Sequence, residues 1–172
     1  MPALTTHSAT PCPAITEFTA SAQRAPDGII VLTYLIKGDV NQIDLPEKAA
    51  SVQTDGLWQH TCFEAFARTA NESAYREFNF VPSSAYAAYS FTDYREGMQP
   101  LLLDAAPQID MTRHETLLKV SVQLPAGSLP RDTLLALAAV IELKDGSKSY
   151  WALTHVGDNP DFHHKDGFVL KL

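Results

Sequence analysis

Apolar residues recur at every second position along most of this chain, and that spacing constrains the fold more than any other feature. Period two is the signature of strands that bury one face. Within Glu115–Leu124, Leu118, Val120, Val122 and Leu124 share one side, while Lys119, Ser121 and Gln123 take the other. The run IIVLTYLI in Gly28–Lys37 favours a strand through its β-branched residues, and Ala25-Pro26-Asp27-Gly28 supplies the turn from Ile15–Gln23. Thr61–Arg68 and Tyr75–Val81 flank the turn-forming Asn71-Glu72-Ser73, and Ser83-Ser84 leads into Ala85–Thr92. Further strands are expected at Leu101–Leu103, Leu134–Leu143, Ser147–Trp151 and Phe168–Leu172, with Asp145-Gly146 as a hairpin turn. Gly38–Gln59 is polar, contains Pro46 and reads as a long loop with at most one short element. About eight to ten short strands without a long amphipathic helix predict an all-β sandwich or barrel. The 172 residues divide into an N-terminal arm, 1–14, and a single domain, 15–172.

Charge narrows the partners. The formal net charge is -7, and no Lys/Arg cluster offsets it locally, so phosphate backbones and anionic membranes are repelled. No stretch approaches the ~20 apolar residues of a membrane span, and residues 1–14 lack the apolar run of a secretory signal. Cys12 and Cys62 make no disulfide framework and are expected as free thiols. With Met1 as the start, a cytoplasmic protein is expected.

The residues that could carry chemistry cluster on two hairpin strands. Strand geometry sends Phe78 and Phe80 to one face and Tyr75, Glu77 and Asn79 to the other; Glu64 shares a side with Cys62 and Phe66. Carboxylates and an amide on a rigid element suit the vicinal hydroxyls of a sugar. If that face is concave, Lys119, Ser121 and Gln123 join Glu64, Glu77 and Asn79 in lining it. The same pattern also describes a solvated sheet face with no ligand. Trp58 and Trp151 stand at loop–strand junctions, where indoles either stack on a pyranose ring or cap the core. Arg95 can hold a ligand carboxylate or close an internal salt bridge.

No GxSxG, P-loop or GxGxxG motif is present, so a non-catalytic role is expected. Glu64 and Glu77 are the one carboxylate pair for a small hydrolase. His155 to Asp166 holds three His and three Asp, among which His155, Asp161 and His163 are weak metal candidates, although no spacing matches a ligand motif. No cofactor is expected otherwise.

Four separated segments resemble a known family: Trp58-x-x-Thr61-Cys62-Phe63-Glu64-Ala65-Phe66, Tyr75-Arg76-Glu77-Phe78-Asn79-Phe80-x-Pro82, Ala88-Tyr89-x-Phe91-x-x-Tyr94-Arg95, and Pro160-Asp161-Phe162-His163 ahead of Gly167-Phe168. Together, over roughly residues 15–172, they look like bacterial DOMON-like proteins, which are similar to family 9 carbohydrate-binding modules and to sugar- or haem-binding DOMON domains. The resemblance implies an immunoglobulin-like antiparallel β-sandwich with a ligand pocket on one sheet or at its edge. It also implies a small carbohydrate or related polar ligand held by Trp58, Glu64, Glu77, Asn79, Arg95 and Trp151. The haem-binding branch uses a Met/His pair, for which Met98 or Met111 with His155 or His163 are the candidates. A partner enzyme, if one exists, is not named by any motif.

Overall fold

The computed structural model describes residues 1–48 and 50–172. Its strands are β1 (Thr5–Thr6), β2 (Ile15–Arg24), β3 (Ile30–Gly38), β4 (Cys62–Thr69), β5 (Tyr75–Phe80) and β6 (Tyr86–Phe91), followed by β7 (Gln99–Pro100), β8 (Gln108–His114), β9 (Leu117–Leu124), β10 (Thr133–Glu142), β11 (Lys148–Ala152) and β12 (Leu170–Lys171). They form two antiparallel sheets, one of four strands in the order β2-β3-β9-β8 and one of eight in the order β1-β11-β10-β4-β5-β6-β7, with β12 on β10. Short 3-10 turns at Val40–Gln42, Leu57–Gln59 and Lys165–Gly167 are the helical pieces among the described residues. The fold is an all-β antiparallel sandwich.

Alternation places the core between the sheets. Leu32, Tyr34 and Ile36 of β3 and Leu118, Val120 and Val122 of β9 meet Phe63, Ala65, Phe78 and Phe80 from the larger sheet. Phe63 is central, 5.2 Å from the Tyr34 ring and 6.4 Å from Phe18, in the tilted and edge geometries that aromatic pairs prefer. The smaller sheet leaves its other side to solvent, so Lys119 and Gln123 are exposed, whereas β4 and β10 are covered on both faces. Lys119, Ser121 and Gln123 therefore lie on the outer side of the four-stranded sheet, away from Glu64 and Glu77; shared parity says nothing about which sheet a strand joins.

Three elements depart from the sequence reading. Gln108–His114 forms edge strand β8, although only Ile109 in it is buried; a strand exposed on both faces carries no alternation to read. The strand expected at Leu101–Leu103 is instead the two-residue β7 just before it. The N-terminal segment is integral to the sandwich, since Leu4 donates to the Phe18 carbonyl in one sheet while Thr5 and Thr6 pair with Ala152 and Trp151 in the other.

Phe63→Ala is expected to destabilise the protein by about 3–5 kcal/mol, because the neighbouring β-sheet backbone cannot collapse into the cavity. Urea unfolding of the variant beside the parent measures it, and a loss under about 1 kcal/mol would contradict the packing described.

Candidate functional site

The outer face of the eight-stranded sheet is roofed by two loops, and a cavity of about 740 Å3 opens between them. The register sets its floor: Glu64 faces Asn79 across the β4–β5 pair, and Glu77 lies between Phe66 and Tyr89. Glu64 and Glu77 are thus diagonal neighbours on adjacent strands. Trp58 overhangs from the 3-10 turn Leu57–Gln59, which Gly56 enters with a φ of 74°, a left-handed conformation that suits glycine. Residues 52–54 strap this loop to β6 through Tyr86 N–H to the Val52 carbonyl, and Thr54 N–H to the Tyr86 carbonyl. Tyr89 reinforces it by donating to Asp55 Oδ1 at 2.6 Å. Tyr150, Phe162 and Met98 complete the wall.

The opposite roof is the 155–168 loop. Phe162 packs over the small outer side chains Ala136, Ala138 and Ala152 in a second apolar cluster with Phe66 and Phe168. Asp161 clamps the loop, accepting from Arg95 at 2.9 Å and from the Tyr94 hydroxyl at 2.7 Å. Arg95 itself holds a φ of 54°, strained for a side-chain-bearing residue, and its N–H donates to the Tyr75 hydroxyl at 3.1 Å. That hydroxyl lies 2.8 Å from His163 Nδ1, so the consistent assignment has Tyr75 donating to Nδ1 and the Nε2–H facing Glu77 Oε2, 3.8 Å away. Burial, aided by the Arg95 cation, pushes the His163 pKa down to about 4, which keeps the ring neutral near pH 7.

The two carboxylates are held differently. Glu77 accepts from Asn79 Nδ2 at 2.8 Å through Oε1. Burial raises its pKa, while the Asn79 bond and Arg95 oppose the rise. Glu64 is 3% exposed, and its Oε1 has no hydrogen-bond partner among the described residues. Burial first, and the Glu77 charge second, push its pKa well above the usual carboxylate range. A buried acceptor left unpaired is costly, so Glu64 is a group with unused capacity.

Four of the six expected ligand residues, Trp58, Glu64, Glu77 and Arg95, line this one cavity. Asn79 lies beneath it, 1% exposed, and positions Glu77. Trp151 is on the reverse side of β11, buried against Phe18 at 5.5 Å with its indole N–H on Ser149, so it belongs to the core. Its neighbour Tyr150 takes the outer face, as period two requires once Trp151 is placed inward. Tyr89 and Phe91 of β6, and Asp55 in the polar loop, are further members of the wall.

The weak metal candidates have three separate occupations. His155 Nε2 meets the Thr5 carbonyl at 2.8 Å, Asp161 holds Arg95 and Tyr94, and His163 is bonded to Tyr75 with its other nitrogen facing Glu77. Among the described residues no three His, Cys, Asp or Glu converge as a metal set. For haem, Met98 and His163 share the cavity, whereas Met111 lies on β8 of the other sheet. Both His163 nitrogens already face protein groups, so the ring does not fit an axial ligand as it stands. Cys12 and Cys62 are both free and buried. A second hollow of about 490 Å3 lies beyond Tyr75 and His163, lined by Arg68, His164 and Lys165 among others, and contains neither Glu64 nor Glu77.

No known family profile and no curated protein sequence matches the chain. Two solved structures align with it over most of its length. A candidate carbohydrate-binding protein from Bacteroides uniformis superposes with a TM-score of 0.61 at 13% identity, covering 88% of this chain and 76% of that one. A family 9 carbohydrate-binding module from Caldicellulosiruptor kristjanssonii, in complex with glucose, gives a TM-score of 0.43 at 9% identity over 88% and 75% of the two chains. The first likeness establishes a shared sandwich fold. No helix among the described residues is long and apolar enough to cross a membrane.

The raised Glu64 pKa carries a sign. The folded state holds a proton that the unfolded chain releases above about pH 4.3, so this group's cost is absent in acid and grows as pH rises towards the folded value. Glu64→Gln is expected to raise Tm at about pH 8 and to lose that advantage by about pH 4. Thermal scans across the range measure it; a Tm difference independent of pH would contradict the assignment.

Proposed function

We propose that the cavity over the eight-stranded sheet binds a small carbohydrate or a related polar molecule, and that the protein acts as a binding module without chemistry of its own. The observation that carries this reading is one wall combining flat aromatic surface with carboxylates. Trp58 is 54% exposed at the rim of a cavity whose floor carries Glu64 and Glu77. A free-standing indole that large, left in water, suits the apolar face of a sugar ring, while acceptors below take its hydroxyls. The volume lies within the range of small-molecule sites. The sandwich shared with the Bacteroides uniformis protein and the DOMON-like segments supports the same reading.

A hydrolytic use of Glu64 and Glu77 is the second reading, favoured by the raised proton affinity of both, since a glycosidase needs one carboxyl held as an acid. A screen of aryl glycosides separates the two: turnover abolished by Glu77→Gln supports the enzyme, and none supports the binding module.

Calorimetric titration with mono- and disaccharides tests the main reading. Trp58→Ala is expected to weaken binding by about tenfold, the scale of one lost stacking contact, with little change in Tm because the indole is solvent-facing. The ligand-induced fluorescence change should vanish in Trp58→Phe and persist in Trp151→Phe. No heat with any sugar, and no response from Trp58, would overturn the proposal.

A further inference from the structure

The charges around the cavity are unbalanced, and the imbalance is local. Three acids line it, Asp55, Glu64 and Glu77, against one permanent cation, Arg95. Asp55 is engaged by the Tyr89 hydroxyl, and Glu77 by Asn79. Arg95 is spent on Asp161 at 2.9 Å, on the loop that forms the roof. Glu64 is left over. It is 3% exposed, its Oε1 has no hydrogen-bond partner among the described residues, and its side chain reaches the cavity from the centre of the sheet. Above it stand aromatic rings, Trp58 and Tyr150 among them, whose faces attract cations. An unpaired carboxyl beneath an aromatic rim is a receptor for a positively charged group, which supplies hydrogen-bond donors and, as the proton held by the buried carboxyl leaves to solvent, becomes its counter-ion.

Resting on the carbohydrate reading above, we infer that the ligand bears a protonated amine that docks on Glu64, which makes an amino sugar the class of molecule this cavity takes. The ring stacks on Trp58, and the ammonium donates to Glu64. A neutral sugar offers only hydroxyls to the same oxygen, and an acidic sugar is repelled by the floor.

Titration of the intact protein with matched pairs, glucosamine and glucose, galactosamine and galactose, tests the inference, with N-acetylglucosamine and cyclohexylamine as further probes. At least one 2-amino hexose is expected to bind about tenfold more tightly than its neutral partner, the difference between a charged and a neutral hydrogen bond. N-Acetylglucosamine, which keeps the bulk and loses the charge, should fall to the neutral level. Glu64→Gln should abolish the preference, and its Tm reports that the variant is folded. Equal affinity for amino and neutral hexoses would overturn the inference and leave the carbohydrate reading standing. Binding of cyclohexylamine with no sugar bound would uphold the cation site and overturn the sugar. Binding of none of these probes would overturn both.

Discussion

Burial of β4 and β5 on both sides is the constraint on which the rest depends. Phe63, Ala65, Phe78 and Phe80 anchor these strands in the space between the sheets, and that fixes where the intervening side chains go. A slip of one residue would exchange the sets, putting carboxylates into the sandwich and phenylalanines under the loops. The apolar core thereby holds Glu64 and Glu77 in place on the opposite face. Neither loop could present two acids so rigidly.

The outer face is polar at one end and oily at the other. Phe66, Tyr75 and Phe91 seat the 155–168 loop, while Glu64, Glu77 and Tyr89 are left beneath the gap between it and the Trp58 turn. Alanines at 136, 138 and 152 give the loop room to descend. This division explains why the alternation pattern alone was ambiguous: a side that is half roof support and half binding floor shows both apolar and charged residues.

Much of this was legible in the sequence. The β4–β5 hairpin, the inward phenylalanines, the Asp145-Gly146 turn and the shared side of Glu64 and Glu77 all follow from spacing that a strand obeys locally. Sheet membership does not, and that is why Lys119, Ser121 and Gln123 were assigned to the wrong surface. Trp151 shows a subtler limit. Five residues, Lys148–Ala152, form β11, too few to reveal which side is buried, and the answer comes from Phe18 across the sandwich. Arg95 was open between ligand and salt bridge because Asp161 lies sixty-six residues away and meets it only once the chain has folded.

The bonds from the Arg95 N–H to Tyr75 and from Tyr75 to His163 tie the 155–168 loop to the floor beside Glu77, while the strap to β6 and the Tyr89–Asp55 bond hold the Trp58 loop. An occupant would find walls that need little ordering, so its loss of freedom on entry is confined mostly to its own torsions and to Trp58. Selectivity in such a receptacle comes from mismatch: a molecule of the wrong outline or polarity cannot be accommodated by cheap rearrangement, and is refused.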